Sequence, residues 1–199
     1  MLGLCSKWLE VADYIDGYDV AVITEIKLDK MVTSDSIMRR SYSLNRNDRS
    51  SNGGSIASYI RNSLKPITLF DLQEEAKTKN IEMTLDMITA DSTNKTNSKF
   101  IIIGVYRPPN TDVGWFTKFD SIVALATALA PVCFMGDVNA DLLKPTAPLG
   151  KQLLHSLEAA EVRIEQKLFQ HASVRRMLPG ILLLPSLKTS PLKGTLLGH

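Results

Sequence analysis

Residues 100–106 read Phe-Ile-Ile-Ile-Gly-Val-Tyr, an aliphatic run rich in the β-branched residues that are typical of strands. A second run, Ile81–Ile88, alternates apolar with polar residues, and the polar stretch Asp91–Ser98 separates the two runs. This spacing predicts two neighbouring strands joined by a hairpin. Pro108-Pro109 allows neither a helix nor a ladder to continue, so the second strand ends before it.

Helical and strand patterns alternate around this hairpin, which indicates an α/β fold with a mixed sheet covered by helices. Gly- or Ser-rich linkers do not divide the sequence, and beyond Phe169 the pattern predicts no regular element. The other predicted elements are a helix over 8–15, a strand over 20–23, a loop over 45–54, a strand over 55–60, a helix over 115–130, a strand over 132–135 and an amphipathic helix over 151–167.

The composition fits one globular α/β domain. Of the 199 residues, 44% are apolar, and 23 basic side chains nearly balance 21 acidic ones, which excludes a disordered polyelectrolyte and a fibrous repeat. The two cysteines, Cys5 and Cys133, argue against a disulfide scaffold and favour a reducing compartment. The longest apolar stretch, 122–135, is too short to cross a membrane. We therefore expect an intracellular protein, nuclear or cytoplasmic, without membrane contact.

The net charge differs between the two parts of the chain. Residues 1–150 carry 16 basic and 18 acidic side chains, whereas residues 151–199 carry 7 and 3. Two interpretations of this end remain open: it contacts nucleic-acid phosphates, or it is a solvated, poorly ordered tail. Its scattered basic residues include Lys167, Arg175, Arg176, Lys188 and Lys193.

Polar residues at strand ends are the candidates for chemistry. Asp137 and Asn139 follow a predicted buried strand and lie two positions apart, so an acceptor and a donor share one side of an extended segment. Glu25 ends another strand and offers oxygen ligands for Mg²⁺, and the hydroxyl of Tyr106 can reach a phosphate. Hydrolysis of a phosphodiester needs groups of these kinds: a hydrogen-bond acceptor that orients the attacking water, a cation against the developing charge, and donors to the non-bridging phosphate oxygens. Ordinary turn chemistry is the alternative for each residue alone.

Four segments, in this order, resemble the endonuclease/exonuclease/phosphatase superfamily, and most closely the endonuclease domains of non-LTR (LINE-type) retrotransposons. The triplet Arg107-Pro108-Pro109 favours that branch over repair enzymes and phosphoinositide phosphatases. The resemblance covers about residues 7–166. The four segments are Tyr18–Glu25, Gly53–Ala57, Ile103–Asn110 and Phe134–Leu143.

The resemblance implies a DNase I-like four-layer sandwich, in which helices flank two mixed β-sheets. It also implies roles for the candidates: Glu25 as a Mg²⁺ ligand, with Mn²⁺ as an alternative ion, and Tyr106 as a phosphate contact. Asp137 would orient or deprotonate water, and Asn139 would donate to the transition state. The implied substrate is DNA, and the implied product is a nicked strand.

The sequence departs from the family at two points. The family's first strand delivers an Asn to the metal site, but residues 1–6 contain no Asn, and no Asp follows Asp141 to polarise a histidine. His171 and His199 lie in no matching context, and His155 falls within the predicted amphipathic helix. We therefore expect an incomplete domain over 1–166, a divergent tail over 167–199, and weak or absent DNA nicking.

Other functions remain open at this level. A non-catalytic module that binds DNA or protein, or a phosphatase of the same superfamily, fits the same residues. An incomplete sandwich would leave the edges of its central strands uncovered, so we expect self-association or a partner protein along those edges.

Overall fold

The computed structural model describes residues 8–26, 28, 32–48, 54–90, 98–140, 147–159, 163–164, 181–184 and 195–197. Its helices are α1 (Trp8–Ile15), α2 (Ser34–Ile37), α3 (Phe70–Thr78), α4 (Gly114–Thr127) and α5 (Pro148–Ala159). Its strands are β1 (Val20–Thr24), β2 (Tyr42–Asn47), β3 (Ile56–Arg61), β4 (Ile67–Thr68), β5 (Glu82–Ala90), β6 (Ser98–Tyr106), β7 (Val132–Asp137), β8 (Arg163–Ile164), β9 (Ile181–Leu184) and β10 (Thr195–Leu197).

The strands form two sheets. The four-stranded sheet has the order β2-β3-β1-β9, and its described neighbours are antiparallel. The six-stranded sheet has the order β4-β5-β6-β7-β10-β8 and is mixed: β5 and β6 form the predicted antiparallel hairpin, while β6 and β7 run parallel. The parallel pair brings the carboxyl ends of β6 and β7 to the same end of the sheet.

Three apolar clusters separate four layers. One cluster lies between α1 and the four-stranded sheet and contains Ile15, Ile23 and Tyr59. The second lies between the two sheets and contains Val22 and Ile102; we call this space the seam. The third is the largest and lies between the six-stranded sheet and helices α3, α4 and α5. The order helix, sheet, sheet, helix is the four-layer α/β sandwich that the sequence predicted.

Some predicted elements have different bounds. Residues 45–47, predicted as part of a loop, are strand residues at the end of β2. The side chains of Asn45 and Asn47 bond across the seam: Asn45 Nδ2 donates to Asp86 Oδ1 at 3.0 Å, and Asn47 Nδ2 donates to the Met83 carbonyl at 3.1 Å. The amphipathic helix predicted over 151–167 is α5, which begins at Pro148 and ends at Ala159. Arg163–Ile164 instead pairs as β8 with β10.

The prediction that no regular element follows Phe169 was also wrong, because two short strands lie there. Ile181–Leu184 pairs with the free side of β1, and Thr195–Leu197 pairs with β7. Both sheets therefore include strands from beyond residue 166. The proposed first-strand segment 1–6, the hairpin loop 91–97, the tail residues Lys167, Arg175, Arg176, Lys188 and Lys193, and both tail histidines lie outside the described residues.

The described helices are too short or too polar to cross a membrane.

Candidate active site

Three side chains from neighbouring strands form a row at one end of the six-stranded sheet. Tyr106, the last residue of β6, is the register partner of Glu82 on antiparallel β5 and of Asp137 on parallel β7. Register partners project from the same face of a sheet, so all three face the seam, as Ile102 of the same strand does. The sheet thus places two carboxylates on either side of one phenol.

A fourth side chain reaches this row from the other sheet. Glu25 follows β1 directly, and the Tyr106 hydroxyl donates to its Oε1 at 2.6 Å. The contact joins residues that are 81 positions apart and closes the seam at its end. Glu25, Tyr106 and Asp137, which the sequence proposed from separate strand ends, are therefore brought to one place.

Left-handed backbone is concentrated at this site. Glu25 has φ 57°, Ser55 has φ 84° and Asn139 has φ 47°. Asn tolerates this region, but the conformation typically costs about 1–3 kcal/mol for other non-glycine residues and persists where surrounding structure imposes it. The positive φ at Glu25 ends the alternation of β1 side chains between the two faces of the sheet.

The loop after β7 is fixed by its own polar side chains. The Asn139 backbone N–H donates to Asp137 Oδ1 at 2.8 Å, and the Asn139 Nδ2 donates to the Arg107 carbonyl at 2.7 Å. The Arg107 N–H in turn donates to the Asp137 carbonyl at 2.8 Å. Gly136 permits this close approach, because an added Cβ would lie 1.8 Å from the Val105 carbonyl oxygen.

The Arg107 side chain holds the loop from the interior of the protein and does not face the site. Its side chain is fully buried, with the guanidinium carbon 5.9 Å from the Trp115 ring centre and 5.5 Å from the Phe116 ring centre. It donates to the carbonyls of Val138 and Thr111. Burial lowers the pKa of Arg107, but an arginine remains charged throughout the physiological range.

The electrostatic environment keeps the Tyr106 phenol protonated. Burial raises its pKa most, the hydrogen bond to Glu25 adds to this, and the negative charges of Glu25, Glu82 and Asp137 raise the pKa further. Tyr106 is therefore a hydrogen-bond donor at any ordinary pH.

The donors present suit a hard cation. They are carboxylate oxygens, which Mg²⁺ and Mn²⁺ prefer. Across the part of the chain that the structure describes, no three His, Cys, Asp or Glu side chains come close enough together to hold a metal ion. A cation here would take one or two carboxylates directly and complete its shell with water, as Mg²⁺ commonly does.

A cleft of about 400 Å³ adjoins this row through Glu82 and Pro108. Three of its lining residues are the lysines Lys77, Lys79 and Lys118. Two of these form exposed ion pairs within one turn of chain, with Nζ–Oε1 distances of 3.2 Å and 3.1 Å. Exposed pairs of this kind contribute little, so these lysines can exchange their partners for other anions.

Sequence reasoning missed Glu82. It is 8% exposed, and its Oε2 accepts the backbone N–H of Ser55 at 3.1 Å, so it links the start of β5 to the start of β3 across the seam. The alternation in Ile81–Ile88 marked this residue as polar on a strand, but only the pairing with Tyr106 places it at the site.

One solved structure establishes the fold. The chain superimposes on the catalytic domain of APE2 from Xenopus laevis with a TM-score of 0.56 over 77% of this chain, at 17% identity. The chain has the DNase I-like α/β sandwich fold of that domain. It spans 62% of the length of that APE2 structure. No protein-family model matches the sequence, and no curated protein sequence matches it. The row of Glu82, Tyr106 and Asp137 lies in this fold at the end of the seam.

Proposed function

We propose that this chain is a divalent-metal-dependent phosphodiesterase domain of the DNA endonuclease type, related to the endonucleases of LINE-type retrotransposons. The observation that carries the proposal is the 2.6 Å bond from the Tyr106 hydroxyl to Glu25, with Asp137 on the adjacent strand. The solved neighbour, an APE2 catalytic domain, supports a nuclease, and the triplet Arg107-Pro108-Pro109 favours the retrotransposon branch.

Glu25 would hold Mg²⁺ or Mn²⁺ in this site. A cation bound there supplies positive charge against the charge that develops on a phosphate. Glu25 is the only one of the three carboxylates near Tyr106 that comes from the four-stranded sheet. Glu25, which would hold the cation, thus lies where the two sheets meet and accepts the Tyr106 hydroxyl.

The remaining residues act on phosphate and water. Tyr106, kept protonated by its surroundings, would donate its hydroxyl hydrogen to a non-bridging phosphate oxygen. Asp137 uses Oδ1 to accept the Asn139 N–H, which leaves Oδ2 to orient a water. One N–H of the Asn139 amide is bonded to the Arg107 carbonyl, and the second can donate to the phosphate.

DNA is the proposed substrate because the lysine-lined cleft continues from the site. Lys77, Lys79 and Lys118 offer positive charge for phosphates next to Glu82 and Pro108, in a lining that also includes Asp48 and Asp112. A small phosphoester would not use these lysines. We propose slow nicking, because no Asp follows Asp141 in the sequence to polarise a late histidine.

The test is relaxation of supercoiled plasmid in Mg²⁺, with Asp137→Asn and Glu25→Gln as site variants. Each variant should reduce nicking by about 10²-fold or more, because each removes an acid-base or metal-binding group. Asp35→Asn and Glu158→Gln change exposed carboxylates in the same ways and should nick like the wild type.

The outcomes separate the candidate functions. Nicking that survives Asp137→Asn, or that is independent of divalent cation, would contradict the proposal. Turnover of a soluble phosphoester without plasmid nicking would favour a phosphatase. Salt-dependent DNA binding without cleavage would favour a binding module.

A further inference from the structure

Glu82 differs from the other carboxylates of the site in how firmly it is held. Its Oε2 accepts the Ser55 N–H at 3.1 Å, and the side chain is almost fully buried between the two sheets. A carboxylate with these contacts cannot swing toward a ligand without breaking a bond across the seam. Its position is therefore fixed before any cation arrives.

Glu82 also lies close enough to act electrostatically on the site. It is the register partner of Tyr106, whose hydroxyl donates to Glu25 Oε1 at 2.6 Å, so its carboxylate lies on the same face of the sheet, one strand away from that contact. One oxygen of this carboxylate is already bonded to the Ser55 N–H, so Glu82 can act on a cation at Glu25 through its charge without moving.

We propose that Glu82 is a positioning residue that strengthens divalent-cation binding at Glu25 through its charge, without ligating the cation. This inference rests on the proposed function, because it assumes a cation on Glu25. A fixed anion at this range in a partly desolvated site favours a divalent cation, and its removal should weaken binding about tenfold. The bond to Ser55 serves a separate purpose, since it holds β3 to β5.

Two substitutions separate the charge from the contact. Glu82→Gln keeps an oxygen that accepts the Ser55 N–H but removes the charge. Glu82→Asp keeps the charge but shortens the side chain, which lengthens the contact with Ser55. Glu74→Gln removes an exposed carboxylate and is the matched control. Glu25→Gln removes the proposed ligand itself.

The experiment is a titration of the whole chain with Mn²⁺ alone, followed by the electron paramagnetic resonance of free and bound ion. Glu82→Gln should raise the Kd about tenfold with an unchanged bound-ion spectrum, because the ligands stay the same. Glu82→Asp should bind Mn²⁺ within about threefold of the wild type and melt at a lower temperature. Glu74→Gln should match the wild type, and Glu25→Gln should abolish binding.

The result can fail in distinguishable ways. Wild-type binding with an equal Kd in Glu82→Gln would overturn the role of Glu82 and leave the proposed function standing. Loss of binding with an altered bound-ion spectrum in folded Glu82→Gln would also overturn it, because Glu82 would then be a ligand. No Mn²⁺ binding by the wild type would overturn the metal site of the proposed function and this inference with it.

Discussion

The two faces of strand β5 are built differently. On the helix side, Met83 and Leu85 are fully buried in the apolar cluster that α4 covers. On the seam side, Glu82, Thr84 and Asp86 each bond to the four-stranded sheet, through the Ser55 N–H, the Ser58 hydroxyl and the Asn45 amide. Apolar packing accepts small shifts, whereas hydrogen bonds depend on direction. The polar face therefore sets how the two sheets align, and with it the meeting of Glu25 and Tyr106.

The largest expected effect is on the helix side. Phe119 is 2% exposed, stacks on Trp115 at 4.9 Å between ring centres and meets Phe134 at 5.6 Å. Phe119→Ala should lower the free energy of unfolding by about 3–5 kcal/mol, measured by urea denaturation. Phe70→Ala, at a phenylalanine that is 71% exposed, should change it by less than about 0.5 kcal/mol. Similar losses in both variants would contradict this account of the core.

The buried Asp86 on the seam side should make the stability of the protein depend on pH. Burial raises the pKa of Asp86 to about 6, and hydrogen bonds from Asn45 and Thr68 lower it only in part. Between about pH 4 and pH 6 the folded chain holds more protons at Asp86 than the unfolded chain does. Stability therefore falls as pH rises through this window, by about 3 kcal/mol for a shift of roughly two pKa units.

Asp86→Asn removes this titration and sharpens the comparison. Urea denaturation at pH 4.5 and pH 7.5 should show that the wild type loses stability relative to Asp86→Asn at the higher pH. Asp71→Asn, which alters an exposed carboxylate on α3, should keep the wild-type profile. Parallel profiles for the wild type and Asp86→Asn would show that Asp86 ionises freely in the fold.

The smallest effect concerns the space beside Thr84. An added Cβ at Gly104 would lie 2.4 Å from the Thr84 Oγ1 and 3.0 Å from the Ser58 Oγ, so it would displace the bond between those hydroxyls. Gly104→Ala should cost about 1–3 kcal/mol in thermal or urea unfolding. At Gly17 the nearest atom that such a Cβ would meet is the Tyr14 carbonyl oxygen, 3.8 Å away, and Gly17→Ala should be nearly neutral. Equal losses of stability in Gly104→Ala and Gly17→Ala would show that the Thr84–Ser58 contact does not restrict this part of the seam.

Local sequence pattern predicted the strands and the α/β class, but neither the whole fold nor the whole site. Alternation and β-branched runs predicted the hairpin of β5 and β6, and the four-layer sandwich followed from the family resemblance. Residues 45–47 were misassigned because Asn favours turns when isolated, whereas here Asn45 and Asn47 find partners on the opposite sheet. Glu82 was missed because its importance arises from pairing with Tyr106, and local sequence carries no information on register.

Arg107 has a consequence for how a substrate anion would be held. From its position next to Tyr106, Arg107 would be expected to bind the phosphate. Its guanidinium instead lies over two aromatic rings and donates to two main-chain carbonyls in the interior. Its charge therefore stabilises the scaffold beneath the loop, and lysine cannot replace it, because a single ammonium lacks the planar fork that serves both carbonyls at once.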